Sequence, residues 1–157
     1  MVVERNESRT EMTSHMVNSS LLNLVQRLLI PAVKSLTLTI VDHDESESFG
    51  DALVVLVSSD FRMRIVSDRG QIFADFGAPT APWTWWDSAT IFERFDLSKK
   101  GGFRGRDVEE VLEGIATFVD LFGADLRDLF SDVRRDDTTR ELSALRQSRT
   151  DAMFSDD

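Results

Sequence analysis

Two runs of alternating residues on either side of Gly70 constrain the fold of this chain more than any other feature. From Phe61 onward every second residue is apolar, a polar stretch then ends in Gly70, and a second alternating run begins at Gln71. A period of two is typical of half-buried strands, and glycine supplies the positive φ of a tight turn. A loop of two or four residues keeps both apolar sets on one face, whereas an odd loop does not. The two sets are Phe61, Met63 and Ile65, then Ile72, Ala74 and Phe76.

Two further strands are predicted before this hairpin. Leu36 to Val41 alternates between aliphatic residues and threonine, so one face of that strand is apolar. Ala52 to Val57 is apolar on both faces, which is typical of a strand in the middle of a sheet. The polar run Asp42 to Ser48 between them is predicted to be a loop. Together these segments predict a four-stranded antiparallel meander.

Helical periodicity flanks the predicted sheet. Leucines recur at helical spacing from Leu21 to Leu29, between the candidate N-cap residues Asn18 to Ser20 and the helix-breaking Pro31. A short helix is predicted through Ile91 to Phe95. A long amphipathic helix begins after Asp107, whose carboxylate can cap its first turn.

The C-terminal half is predicted to remain helical to its end. Gly123 is expected to interrupt the long helix, and a weaker last helix begins near Leu142. The fold class that follows is α+β, with an N-terminal helix, the meander, and a helical C-terminal half packed on the sheet. We expect one domain over residues 18–153, with a mobile tail at 1–17 and a mobile end at 154–157.

Composition narrows the classes of function. The chain has no cysteine, which excludes disulfides, thiolate zinc sites and a cysteine nucleophile. It shows no secretory leader and no apolar run long enough to span a bilayer, so we expect a cytoplasmic protein without a membrane partner. Acidic residues number 28 against 18 basic ones, giving a formal net charge of −10. That charge disfavours nucleic acid and favours a basic protein partner, although a negative surface can also serve solubility alone.

No group of residues predicts catalysis or a cofactor. His43 lies between Asp42 and Asp44, with Glu45 and Glu47 behind it, but a solvated loop lacks the ordered supporting residues of a metal site. Neither histidine comes with a glycine-serine nucleophile elbow, and no glycine-rich stretch carries the lysine and hydroxyl of a phosphate-binding loop. We therefore expect a protein that is not an enzyme and that holds no metal and no cofactor.

Three tryptophans, Trp83, Trp85 and Trp86, form the most unusual local feature of the sequence. Because large aromatic side chains bury much surface, they are predicted to cap the open end of the sheet and seat the short helix. The alternative is that one of them is an exposed anchor for a protein partner. The sequence is compatible with both.

Short motifs along the chain carry a resemblance to a known class of protein. They are Phe49-Gly50, Val54-Val55-Leu56, Ser58 to Arg64, Asp68 to Gln71, Pro82-Trp83 and Leu129-Phe130, followed by a charged closing helix. In these motifs the stretch from Leu21 to Met153 resembles immunity proteins, small bacterial proteins that neutralise polymorphic or contact-dependent toxins. The resemblance implies a cytosolic module that blocks a toxin domain by stoichiometric binding. The alternative is an intracellular adaptor or regulatory domain without a toxin partner.

Candidate partner-binding residues follow from charge and from the resemblance. They are Asp42, Asp44, Glu45 and Glu47 in the first loop, Asp68 and Arg69 in the turn, Trp83, Trp85 and Trp86, and Glu109, Glu110 and Glu113 on the long helix. The hairpin residues have a simpler role, since Arg62 or Arg64 placed opposite Asp75 forms a cross-strand ion pair that fixes the register. The acidic candidates are equally compatible with ordinary solvated surface.

Overall fold

The computed structural model describes residues 20–45, 51–81, 83–97 and 103–155. The predicted tail at 1–17 lies outside the described residues, as do residues 156 and 157. Within the described part the chain is an α+β structure built on an antiparallel sheet, as predicted.

Four strands form the meander in chain order. They are β1 (Thr39–Glu45), β2 (Ala52–Val57), β3 (Arg62–Asp68) and β4 (Gln71–Gly77), each antiparallel to the next. Two strands of two residues, β5 (Trp86–Asp87) and β6 (Arg104–Gly105), both pair with β4. The predicted count of four strands is therefore too low, because a two-residue strand has no alternation that a sequence pattern could detect.

The β3–β4 hairpin has the even loop that its alternation predicts. Asp68 is paired with Gln71, so the loop consists of Arg69 and Gly70 alone. Both loop residues have positive φ, 52° and 81°, as a type I′ turn requires. Arg64 thereby lies opposite Asp75, and the apolar residues of both strands share one face.

The first strand is displaced from its predicted position. Strand β1 runs from Thr39 to Glu45, so residues 42–45, predicted as loop, pair with β2. The register shifts between Ile40 and Asp42. An exposed edge strand tolerates and even favours charged side chains, and its backbone pairing needs no apolar alternation. The prediction relied on that alternation and therefore ended the strand too early.

The helices cover one face of the sheet. Helix α1 (Leu21–Leu24) is capped by the Ser20 hydroxyl and continues as a π-helical turn over Val25–Leu29, ahead of Pro31. It is followed by α2 (Ser88–Arg94), α3 (Val108–Leu129), a 3₁₀ turn (Asp132–Arg134) and α4 (Arg135–Ser155). In the described residues we find no helix with the length and apolarity needed to cross a membrane.

Two helix boundaries differ from those predicted. Helix α3 passes through Gly123 without interruption, and α4 begins at Arg135 rather than near Leu142. A glycine in a helix costs about 1 kcal/mol relative to alanine, and the buried side chains Val119 and Leu126 on either side outweigh that cost. The start of α4 is polar and therefore carries no periodic apolar signal.

The core lies between this face of the sheet and the helices. Phe118 of α3 is its aromatic centre, with the rings of Phe76, Phe92 and Phe103 at centroid distances of 5.6, 5.0 and 5.4 Å. Its other members include Val54, Leu56, Met63, Ile65, Ile91, Leu112 and Ile115. The core anchors β2, β3 and β4, and it fixes which side chains of the meander point away from it.

Candidate functional site

The face of the meander that points away from the core is the candidate functional surface, and we call it the outer face. Residues paired directly across an antiparallel sheet share a face, so the register defines its rows. One row contains Asp42, Val55, Arg64 and Asp75; the row on one side contains Asp44, Leu53, Val66 and Phe73; the row on the other side contains Thr39, Val57, Arg62 and Gly77. These side chains lie outside the core cluster, and charged and aliphatic residues meet there around Val55, which is 5% exposed.

One end of the meander collects carboxylates; Asp42, Asp44 and Asp68 lie on its outer face, whereas Glu45 lies in the row of Ala52, Ser67 and the buried Ile72 on the opposite face. We call this the acidic end and define it as Asp42, Asp44, Glu45, Asp51 and Asp68. Glu45 ends β1, Asp51 immediately precedes β2 and Asp68 ends β3, so the two hairpins bring together acids that are up to 26 residues apart in the sequence. Asp44, Asp51 and Asp68 line an open depression of about 260 Å³ together with apolar side chains, among them Leu53 and Val66.

Arg69 is the cation that approaches this acidic end most closely in the described residues. Its Nε lies 4.0 Å from a carboxylate oxygen of Asp68, and its backbone N–H donates to Asp51 at 3.3 Å. The side chain of Arg69 is almost fully exposed, so this contact neutralises little of the local charge. Asp42, Asp44 and Glu45 form no ion pair within the described residues. The acidic end is thus a site of local negative potential beside an apolar strip.

The remaining acidic candidates are separate from the acidic end. Glu109, Glu110 and Glu113 are exposed in the first turns of α3, where negative charge also stabilises the helix dipole. Helix α3 follows β6, which pairs with β4, and β6 is four strand spacings from β1, roughly 19 Å. Glu47 lies outside the described residues.

The three tryptophans have three different environments. Trp86 is 3% exposed, belongs to the core and pairs with Phe76. Trp85 is half-buried, and Trp83 is 56% exposed. Trp86 is therefore the tryptophan that covers the sheet, and Trp83 is exposed at the surface.

Arginine side chains from β3 pack against the two outer tryptophans. The Arg62 guanidinium carbon lies 3.8 Å from the Trp83 ring centroid and 5.7 Å from that of Trp85. The Arg64 guanidinium lies 4.9 Å from Trp85 and donates to Asp75 at 2.6 Å. At this Arg–Trp end of the outer face, Arg62 is four residues along β3 from the Asp44 row, roughly 13 Å, whereas Asp42 shares the row of Arg64 two strands away, roughly 10 Å.

Asp75 and Asp87 are neighbours across β4 and β5 and have opposite electrostatic environments. Burial raises the pKa of Asp75 despite the hydrogen bond and charge of Arg64, and the nearby Asp87 carboxylate adds to that rise. Burial also disfavours ionisation of Asp87, but hydrogen bonds from Thr90 and Arg149 outweigh it, so the Asp87 pKa lies below its usual value. Arg149 reaches Asp87 at 2.8 Å from helix α4, so these contacts tie α4 to the sheet.

The residues that sequence analysis missed at this surface are Asp51, Asp87, Arg146 and Arg149. Asp87 is detectable as a helix N-cap, because it directly precedes a Ser-Ala-Thr start. Asp51 directly precedes a predicted strand. Its role depends on its position beside Asp68, with which it lines the depression. The two arginines of α4 contact residues about 60 positions away, and no local pattern predicts such contacts.

The described residues contain no group of three or more histidine, aspartate or glutamate side chains arranged to hold a metal ion. Comparisons of the chain with family models, with curated proteins and with solved structures give no match.

Proposed function

We propose that this protein is a non-catalytic acidic binding protein, an immunity-like inhibitor that acts in the cytosol and neutralises a basic bacterial toxin domain by stoichiometric binding. The observation that carries the proposal is the acidic end, where three carboxylates from two hairpins, Asp44, Asp51 and Asp68, line a partly apolar depression. Apolar surface beside a charged rim is the usual anatomy of a protein interface. Uncompensated charge of one sign also steers an oppositely charged partner and speeds its encounter.

The environments of the carboxylates support a binding role over a catalytic one. The described carboxylates whose pKa values are displaced are Asp75, Asp87, Asp120 and Glu141. Each of these carboxylates accepts hydrogen bonds that link two parts of the fold. Arg64 donates to Asp75, and Thr90 and Arg149 donate to Asp87. The backbone N–H groups of Lys34 and Ser35 donate to Asp120, and Arg94 and Arg134 donate to Glu141. Perturbed groups in a catalytic site would instead converge on a cleft.

The alternative is an intracellular adaptor or regulatory domain that uses the same surface without a toxin partner. The two functions predict different gene neighbourhoods. A toxin-bearing gene directly upstream favours the inhibitor, and an isolated position favours the adaptor. They also differ in consequence, because only an inhibitor abolishes the activity of its partner.

The test compares two triple variants that remove the same charge from different places. Asp42→Asn/Asp44→Asn/Asp68→Asn neutralises the acidic end, and Glu109→Gln/Glu110→Gln/Glu113→Gln neutralises the exposed acids of α3. Binding is measured by calorimetry and stopped-flow mixing against the purified domain encoded by the upstream gene, at two salt concentrations.

We expect the acidic-end variant to reduce the association rate about tenfold at low salt, the glutamate variant to reduce it much less, and the difference to shrink as salt rises. Equal reductions of the association rate by the two variants would show that the total charge, and not a localised site, drives association. Turnover of any substrate by the purified protein, or failure to bind and inhibit the neighbouring domain, would refute the proposed function.

A further inference from the structure

We propose that the Arg–Trp end of the outer face is a second docking surface, where Arg62 and Trp83 bind an aspartate or glutamate side chain of an acidic protein segment together with an apolar neighbour of that side chain. It is separate from the acidic end. It takes partner groups of the opposite charge and does not depend on the proposed inhibitor function.

Gly77 is the residue that brings the tryptophans onto the outer face. It lies opposite Arg62 in the sheet, and a Cβ added at Gly77 would approach the carbonyl oxygen of Thr84 to 2.6 Å. No side chain fits in that space, so the chain at Thr84 crosses directly over the sheet. Trp83 and Trp85 are thereby held beside the guanidinium groups of β3.

Arg62 is an unsatisfied cation in this arrangement. Its neighbour Arg64 is paired with Asp75, but the side chain of Arg62 has no carboxylate partner and no hydrogen bond within the described residues. Its Nε is buried without an acceptor, and the side chain as a whole is half-buried. A ligand cannot reach the buried Nε, so it must bind the Nη groups, and a carboxylate that docks on this half-buried side chain displaces less water than at a fully solvated arginine.

The chemistry of the ligand follows from the two groups that meet. A guanidinium presents parallel N–H donors that match a carboxylate, and the Nη groups of Arg62 are not closed off as Nε is. Trp83 is an exposed residue, and Val57 lies beside Arg62 in the same row, so apolar contact is available next to the cation. Tryptophan and arginine are also the residue types most often found at interface hot spots.

The charge of the whole chain argues against nucleic acid as the occupant. A phosphate backbone would satisfy Arg62, but a net charge of −10 repels a polyanion over distances beyond the contact itself. A protein segment with one or two carboxylates flanked by apolar residues makes the same contact with far less repulsion.

The experiment titrates the intact protein with capped heptapeptides that differ only at their centre, Phe-Asp-Phe, Phe-Asn-Phe or Phe-Arg-Phe, and with a thymidine octanucleotide. The readout is the NMR signal of each indole N–H, assigned with Trp83→Phe and Trp85→Phe. The variants are Arg62→Gln at the site and Arg27→Gln in the π-helical turn after α1 as the matched control, since Arg27 is an exposed arginine outside the site.

We expect the Asp peptide to shift the Trp83 and Trp85 signals with a Kd on the order of 0.1 to 1 mM and to leave Trp86 unchanged. Arg62→Gln should weaken this binding about tenfold, and Arg27→Gln should not change it. Equal affinity for the Asn peptide, equal binding to the Arg62→Gln variant, or tighter binding of the oligonucleotide would each overturn the proposal. Retained dispersion of the NMR spectrum shows that the variants fold.

Discussion

The carboxylates of this protein fall into two regions that differ in what surrounds them. At the acidic end, Asp42, Asp44 and Glu45 are exposed and have no ion pair among the described residues. At the junction of β4, β5 and α2 with α4, Asp75, Asp87 and Glu141 each meet an arginine at 2.6 to 2.8 Å. Carboxylates therefore join elements of the fold in one region and are left available to a partner in the other.

Burial accounts for this difference at Asp75 and Asp87, whose side chains are 15% and 38% exposed, whereas Glu141 is paired although its side chain is 41% exposed. The junction is adjacent to the buried side chains Trp86, Thr90 and Leu142, and a charge placed there must find a partner. The acidic end lies at an edge strand and two hairpin ends, where water solvates each carboxylate. Variants in the two regions should therefore separate stability from binding.

The largest expected effect comes from Leu142→Ala. Leu142 is fully buried and is the main apolar contact of α4, so its truncation should lower the free energy of unfolding by about 2 to 4 kcal/mol. Val41→Ala, at a half-exposed position of β1, should change it by less than about 0.5 kcal/mol. Urea unfolding of both variants measures the difference. Equal losses would mean that β1 is as tightly integrated into the fold as α4.

Next in size is the effect of Asp87→Ala. This change removes the N-cap of α2 and the partner of Arg149, and it should destabilise the protein by about 1 to 2 kcal/mol after allowance for solvent screening of the half-exposed pair. Asp42→Ala removes the same group at the acidic end and should leave the urea midpoint unchanged. A loss for Asp42→Ala as large as that for Asp87→Ala would abolish the distinction between the two regions.

Acid should change the stability that the carboxylates of the junction contribute, and the direction of each change follows from the direction of the pKa shift. The pKa values of Asp87 and Glu141 are lowered in the folded state, so the stability they contribute is present above the pKa of the unfolded chain and is lost as pH falls through the folded pKa, below about pH 4. The raised pKa of Asp75 acts in the opposite direction, because folding then favours its protonation. Asp87→Asn should flatten the loss of stability between about pH 5 and 3, and Asp75→Asn should steepen it, as urea midpoints across that range would show. The same slope in all three proteins would contradict this assignment.

The smallest effect is expected in the turn beside the acidic end. Arg69 has a φ of 52°, which costs a non-glycine residue free energy. Arg69→Gly should therefore raise the free energy of unfolding by about 0.5 kcal/mol, whereas Gly70→Ala, at a φ of 81°, should lower it by about 1 kcal/mol. Thermal unfolding resolves both, and a gain from Gly70→Ala would show that the turn is not of type I′.

Much of the fold was predictable because it rests on local periodicity. The even length of the β3–β4 loop, the Asp107 and Ser20 caps and the α+β class follow from alternation, turn residues and capping residues a few positions apart, whereas the choice of a two-residue over a four-residue loop came from the structure. The end of β1, the two short strands and the course of α3 past Gly123 were predicted wrongly or not at all. Each depends on pairing or burial contributed by a distant segment.

The sequence predicted which residue types form the candidate site, but it predicted much less of where the fold places them. Sequence analysis named Asp42, Asp44, Glu45 and Asp68, and the sheet brings them to one end. It named the three tryptophans as a unit, and the fold separates them, since Trp86 alone enters the core. The stacking of Trp83 on Arg62 had no sequence signal, because the close approach of the chain at Gly77 produces it.

The sequence by itself determined the fold class, the even length of the hairpin loop and the large surplus of negative charge, because alternation, turn chemistry and composition act through neighbouring residues or through simple sums. Tertiary structure alone decided where that charge is left uncompensated and which aromatic ring stays exposed. Those outcomes depend on which distant arginine reaches which carboxylate, and only the packing of the sheet against its helices sets that distance.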